Sequence, residues 1–100
     1  MSRQAESVVT DANGIHKLES LVHELPANSH VVVFLRDGTS CDGVVSVRPS
    51  VQVFRDHADR EGTNATVKLE RPDVAGWSQR IWLDQIVRVE HLDSGMASEN

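Results

Sequence analysis

Residues 30–48, which read HVVVFLRDGTSCDGVVSVR, carry the clearest structural signal in the chain. Apolar side chains alternate from Val31 to Leu35, with the period of a half-buried β-strand. Asp37-Gly38 then supplies the turn signal of a β-hairpin. A second strand follows with Gly43 inside it, where a sharp bend or the close approach of another backbone is expected. The stretch predicts a hairpin whose second strand bends strongly.

A short amphipathic helix is predicted before this hairpin. Its apolar residues lie at positions i, i+3, i+7 and i+10, which form one helical face: Ile15, Leu18, Val22 and Leu25. Asp11 or Asn13 can cap its start, and Pro26 ends it. The helix needs an apolar surface to lie on, and the open end of a barrel would provide one.

Short strands are predicted after the hairpin as well. They are VQVFRD (51–56), ATVKLE (65–70), RIWL (80–83) and VRVEHL (87–92). The connections between strands are the turn at 48–50, the polar loop HADREGTN (57–64), the connector RPDVAGWSQ (71–79) and a brief turn at 84–86. One helix followed by five or six short antiparallel strands favours a small barrel, because closure removes exposed strand edges. An open sheet with the helix on one face is the main alternative.

Length and composition indicate one soluble domain. The chain has 100 residues, 39% of them hydrophobic, and no run approaches the roughly 18 apolar residues of a membrane helix. The single Cys41 cannot form an internal disulfide, and Asp42 beside it would raise its pKa. We expect a cytoplasmic protein with a flexible N-terminus over 1–13, the barrel domain with its helix over 14–92, and a flexible tail over 93–100.

The charge balance argues against a protein that coats duplex DNA. The net charge is −5, whereas neutralised phosphates dominate the affinity of such proteins. Residues 30–92 are nearly neutral, because they contain eight basic and nine acidic residues. Local binding of a single strand therefore remains open.

The order of these features resembles the Sm-like family (the LSm and Hfq type). The resemblance rests on the alternating strand, Asp37-Gly38, Gly43, and the closing pair Ile81–Leu83 and Val87–Val89 around a tight turn. It covers residues 14 to 92 and implies an N-terminal helix followed by five strongly bent strands. More narrowly, the whole chain looks like an uncharacterised bacterial family described as a variant of the Sm-like fold. SH3-like barrels share much of this pattern.

The RNA-binding signatures implied by that resemblance are degenerate here. Sm-like proteins hold RNA bases with an Asp and an Asn around the turn between strands two and three, and this chain has residues 48–52 (RPSVQ) there. The second signature, Arg-Gly or Lys-His, is replaced by Asp84-Gln85. A reduced nucleotide pocket could still use Arg48, Ser50, Gln52 and Gln85: the arginine for phosphate or stacking, and the amides for base edges. The competing interpretation is that these four are ordinary surface residues.

Other kinds of site have little support in the sequence. Trp82 is expected to be a core or interface aromatic, and Trp77 to cover the barrel from its connector. The five histidines match no zinc spacing, and no catalytic signature is present. We therefore expect no enzyme, no cofactor, no metal site and no membrane partner.

Two functions fit this sequence. The favoured one is a protein-association module that forms a small homo-oligomer, a dimer more readily than a ring, because the long connectors could block edge-to-edge pairing. The alternative is an RNA-binding Sm-like protein with a modified pocket.

Overall fold

The computed structural model describes residues 3–92. Its elements in chain order are β1 (Arg3–Gln4), α1 (Ala12–His23), β2 (His30–Leu35), β3 (Ser40–Val45), β4 (Gln52–Arg55), β5 (Glu61–Asn64), β6 (Thr66–Glu70), β7 (Ser78–Trp82), a 3-10 turn (Leu83–Gln85) and β8 (Ile86–His91). The predicted class, mainly β with a helix near the N-terminus, is confirmed. The tail predicted at 93–100 lies outside the described residues. Over the described part of the chain, no helix has the length and apolar character that crossing a membrane requires.

The strands divide between two sheets. Five form a sheet in the order β7-β6-β3-β2-β8, and three form a second in the order β1-β4-β5. The split occurs at Pro49, which is buried between β3 and β4 and has no backbone N–H to continue a ladder. The described strands therefore curve around one core as two sheets, and they do not close into a single continuous barrel.

The helix closes one end of this core. Asp11 is its cap, since its carboxylate accepts a hydrogen bond from the backbone N–H of Gly14 at 3.2 Å. The residues that it buries are Leu18 and Leu21, followed by Leu25 beyond its end, whereas Ile15 and Val22 of the predicted face are only half-buried. Each leucine contributes about 1.5–3 kcal/mol by leaving water.

The backbone of another strand passes close to Gly43, as predicted. A Cβ at this position would lie 3.0 Å from the carbonyl oxygen of Glu70 and 3.0 Å from the Cβ of Leu69. Both belong to β6, which pairs with β3 at this point. A glycine here lets the two strands pass at van der Waals distance.

The N-terminal segment, residues 3–10, runs along both edges of the β4–β5 hairpin. On one edge β1 pairs in parallel with β4, and Ala5 behind it is buried. On the other edge Val9 and Thr63 exchange two backbone hydrogen bonds, of 2.7 and 2.9 Å. The sequence predicts a flexible terminus over 1–13. The structure instead gives residues 3–10 these contacts and begins the helix at Ala12.

The predicted loop at 57–64 is a strand in its second half. Glu61–Asn64 forms β5 and pairs with β4 in a regular antiparallel register. The turn between them is built on Asp56, whose carboxylate accepts from the backbone N–H groups of Ala58 and Arg60, each at 2.9 Å. The composition of this segment concealed the strand, because Gly62 and Asn64 are residue types that favour turns and are depleted in strands.

Candidate functional site

A cleft of about 250 Å³ lies where β4 and the chain before it face the β6–β7 hairpin. Four cationic side chains from four separate segments line it, and we call it the cationic cleft: Arg3, Arg48, Lys68 and Arg80. Its other lining residues are polar or apolar: Ser46, Val47, Pro49, Ser50, Gln52, Phe54 and Thr66. Among the described residues, none that lines the cleft is acidic. The cleft is thus a locally positive site on a chain of net charge −5.

Lys68 and Arg80 form one wall of the cleft. They are directly opposite each other in the antiparallel register of β6 and β7. Their neighbours Val67, Leu69 and Ile81 point into the core, so both cations project from the outer face. Like charges directly opposite on paired strands destabilise a sheet. An anion between them would relieve this repulsion.

The carboxylate of Glu70 neutralises only part of the charge of this wall. The ammonium of Lys68 lies 3.6 Å from the carboxylate of Glu70, and both side chains are close to half-exposed. Such an exposed pair is weak. Arg80 has no ion pair with any residue of the described range 3–92.

Arg3 enters the cleft from the N-terminal segment. Backbone pairing of β1 with β4 sets it beside Phe54. Its Nη1 donates to Oε1 of Gln52 at 2.6 Å, and Nε2 of Gln52 donates to Oγ of Ser50 at 3.2 Å. Arg3, Gln52 and Ser50 therefore form one hydrogen-bonded chain along the rim.

Arg48 stands on the turn before β4 and is linked to the helix. Its Nη2 lies 3.0 Å from Nδ1 of His23, the last residue of α1. Since a guanidinium only donates, this ring nitrogen acts as the acceptor. The buried Pro49 next to Arg48 holds the turn against the protein.

Phe54 closes the bottom of the cleft. It is only 6% exposed, and its ring meets that of Trp82 edge-to-face, with 5.1 Å between the centroids. Trp82 is half-buried, as expected of a core or interface aromatic. Trp77 packs against the core from its connector, as predicted, and the guanidinium of Arg71 covers its ring at 4.1 Å.

Three of the four predicted site residues come together. Arg48, Ser50 and Gln52 line the cationic cleft. Gln85 does not, because it lies in the 3-10 turn, where its carbonyl accepts from the backbone N–H of Arg36 at 2.9 Å. The turn that carries it packs against α1.

Sequence reasoning missed Arg3, Lys68 and Arg80. The alternation of Val67 and Leu69 is a signal that would put Lys68 on an outer face, but only the register of β6 with β7 makes Lys68 and Arg80 neighbours. Arg3 lay in a segment assigned to a flexible terminus.

Within residues 3–92, three groups outside the cleft have a shifted pKa. Hydrogen bonds from the side chain and backbone of Thr39 lower the pKa of Asp37. The backbone N–H of Arg60 is the largest cause that lowers the pKa of Asp56. Burial raises the pKa of the Cys41 thiol by more than the charge of Arg71 lowers it, and Asp42 adds to the rise, so the thiol is not activated.

Comparison with known proteins defines the relationships of this chain. Residues 2–92 match the family model described as "Domain of unknown function (DUF3247)". The crystal structure of XC5848 from Xanthomonas campestris, described as a novel variant of the Sm-like motif, superposes with a TM-score of 0.84. The two chains are 37% identical, over 90% of this chain and 97% of that one. No curated protein matches this chain in sequence. The sequence resemblance is thus confirmed: the chain belongs to the DUF3247 family, and its fold is a variant of the Sm-like fold.

Proposed function

We propose that this Sm-like chain is a non-enzymatic binding module whose ligand is single-stranded RNA, held in the cationic cleft. The observation that carries the proposal is the convergence of Arg3, Arg48, Lys68 and Arg80 on one cleft without an acidic side chain. Cations that track a backbone are the first requirement of single-strand binding. The sequence alone placed this function second, because the RNA-binding signatures of the family are degenerate at residues 48–52 and at Asp84-Gln85.

A single strand fits the charge distribution better than a duplex does. The four cations lie in one cleft, whereas the chain as a whole is acidic. A duplex would present an extended line of phosphates to a chain whose net charge is −5, and that repulsion opposes binding. A single strand can bend so that only a few phosphates enter the cleft.

Fluorescence anisotropy with short U-rich and A-rich RNA strands tests the proposal. Affinity should fall as salt is raised from about 50 to 200 mM. With four phosphate contacts, the slope of log K against log salt should be about −3, since each contact on a single strand adds about −0.7. Lys68→Ala and Arg80→Ala should each weaken binding and make the slope shallower by about 0.7.

Lys17→Ala is the matched control. It removes one positive charge from an exposed position on α1 that does not line the cleft. Binding unchanged by Lys17→Ala and weakened by Lys68→Ala supports the site. Equal losses in both variants, or no RNA binding at low salt, would overturn it.

Self-association as a dimer is the second candidate function. The specific observation is that β7 and β8 are the two outer strands of the five-stranded sheet, each with one edge that no described residue pairs. Val87 on β8 is 47% exposed, and Leu92 just after it is 46% exposed. Open edges with apolar side chains favour pairing with a second chain.

The connector between β6 and β7 disfavours a ring. Residues 71–77 fold back through backbone hydrogen bonds from Val74 to Arg71 and from Trp77 to Val74. The folded connector therefore occupies the space beside the start of β7. Light scattering across micromolar concentrations should show a dimer. A mass that stays monomeric would reject self-association and leave the RNA proposal unaffected.

A further inference from the structure

The cationic cleft contains no open aromatic face on which a base could stack. The protein has four aromatic residues, and all four lie in the described range. Phe54 is buried with its ring in contact with Trp82. Arg71 covers Trp77 at 4.1 Å, and Arg88 covers Phe34 at 3.9 Å. Proteins that hold bases of single strands do so largely on open aromatic faces.

The amide that could recognise a base edge is already engaged. Gln52 accepts from Arg3 through Oε1 and donates to Ser50 through Nε2. Reading a base would require breaking one of these bonds for another of similar strength. The rim therefore offers the ligand mainly the positive charge of Arg3.

The cationic side chains of the cleft, in contrast to Gln52, still have capacity to bind a ligand. Lys68 and Arg80 oppose each other across the strands, and within residues 3–92 the ammonium of Lys68 has only an exposed ion pair with Glu70. Arg48 uses one Nη for His23. The guanidinium has five N–H donors, so donors remain for an anion. Cations suited to phosphate thus surround a cleft that has no open aromatic face and whose one amide is already engaged.

From these observations we propose that the cationic cleft recognises a linear run of phosphates and ignores the bases. The inference rests on the proposed function, because it concerns the same cleft and specifies its ligand class. Phosphate contacts position a strand but carry no sequence information. RNA, DNA and inorganic polyphosphate share this chemistry and should all enter the cleft.

Competition against a labelled single-stranded RNA separates these ligands. The competitors are unlabelled RNA, DNA of the same length, an abasic DNA strand that keeps the backbone but lacks bases, inorganic polyphosphate, and adenosine. We expect the affinities of RNA, DNA and abasic DNA to agree within about threefold, because removing bases that make no stacking contact removes no binding energy. Polyphosphate should also displace the labelled strand. Adenosine should not compete. Lys68→Ala and Arg80→Ala should weaken every phosphate-bearing competitor alike, whereas Lys17→Ala should not.

The outcomes distinguish failure of backbone-only recognition from failure of RNA binding itself. Loss of a single base stack costs about tenfold in affinity, so an abasic strand weaker by tenfold or more would overturn recognition of the backbone alone. A tenfold difference between U-rich and A-rich RNA would do the same. In both cases the RNA-binding function stands. Direct binding of labelled polyphosphate without RNA binding would reject the RNA function. It would also overturn recognition of any linear run of phosphates, because an RNA strand carries such a run. If no strand and no polyphosphate binds, both proposals fail.

Discussion

The side-chain amide of Asn64 donates a hydrogen bond to the backbone carbonyl of Ser7 at 3.0 Å, across the fully buried end of β5. The Oδ1 of the same side chain accepts from the backbone N–H groups of Ala65 at 2.9 Å and Asp84 at 3.3 Å. One side chain thus joins the N-terminal segment, the junction of β5 with β6, and the 3-10 turn. Ser7 strengthens this junction through a hydrogen bond from its hydroxyl to the carboxylate of Asp84.

Asn64→Ala should destabilise the protein by about 2–4 kcal/mol. The change leaves two backbone N–H groups and one carbonyl without their partner, and an unsatisfied buried group costs about 1–3 kcal/mol. The cost is lower at Ser7 and Asp84, because both are only half-buried and water can reach them. Urea denaturation followed by tryptophan fluorescence measures the loss. Ser7→Ala is the control, because it keeps the carbonyl that Asn64 uses and should cost less. A loss for Asn64→Ala no larger than that of Ser7→Ala would contradict the role of Asn64.

Gly62→Ala tests the packing of the N-terminal segment on the hairpin. A Cβ at Gly62 would lie 2.9 Å from the Cβ of Val8 and 2.9 Å from the Cγ2 of Thr10. The segment must move to accept it, and such overpacking costs about 1–3 kcal/mol. Hydrogen exchange should become faster at Val9, whose N–H bonds the carbonyl of Thr63. Glu61→Ala, at the exposed neighbouring position, should leave that exchange rate unchanged. Equal protection of Val9 in both variants would show that the segment is not held this way.

Asp56 should make stability depend on pH in acid. Its pKa is lowered from the ordinary 3.8, chiefly by the backbone N–H of Arg60. Folding therefore favours the charged form: the contribution is complete above 3.8 and disappears as pH falls through the folded pKa. Asp56→Asn should unfold at lower temperature than the native protein at about pH 7, and the difference should shrink towards about pH 2.

Thermal unfolding followed across this pH range measures the effect. Asp73→Asn changes charge equally on the exposed connector after β6 and serves as the control. A constant difference between Asp56→Asn and the native protein at all pH values would refute the assignment.

The sequence predicted an element correctly where the signal for it lies within one short segment. The alternation before Asp37-Gly38 and the spacing of Leu18 and Leu25 are local signals, and each predicted its element. The same holds for Gly43, since a glycine within a strand indicates a close neighbour without naming it.

The cationic cleft depends on contacts that no local pattern specifies. Lys68 and Arg80 are twelve positions apart, and only the register of β6 with β7 makes them neighbours. Arg3 reaches Gln52 through a two-residue parallel pairing that carries no periodic signal. Gln85 is the opposite case, a residue that was predicted in the site but lies outside it. The family resemblance grouped it with Gln52, but the structure places it in the 3-10 turn, away from the cleft.

Arg3→Ala should weaken RNA binding if the N-terminal segment is a true wall of the cationic cleft. The change removes one of four cations, so the slope of log K against log salt should become shallower by about 0.7. Gln4→Ala alters the other residue of β1, whose side chain pairs with His57 outside the cleft, and should leave affinity and slope unchanged. Arg3→Lys should keep most of the slope, because it retains the charge while losing the guanidinium geometry. Anisotropy titrations at several salt concentrations compare the three variants. If Arg3→Ala and Gln4→Ala weaken binding equally, detachment of β1 explains the loss and Arg3 has no direct contact with phosphate.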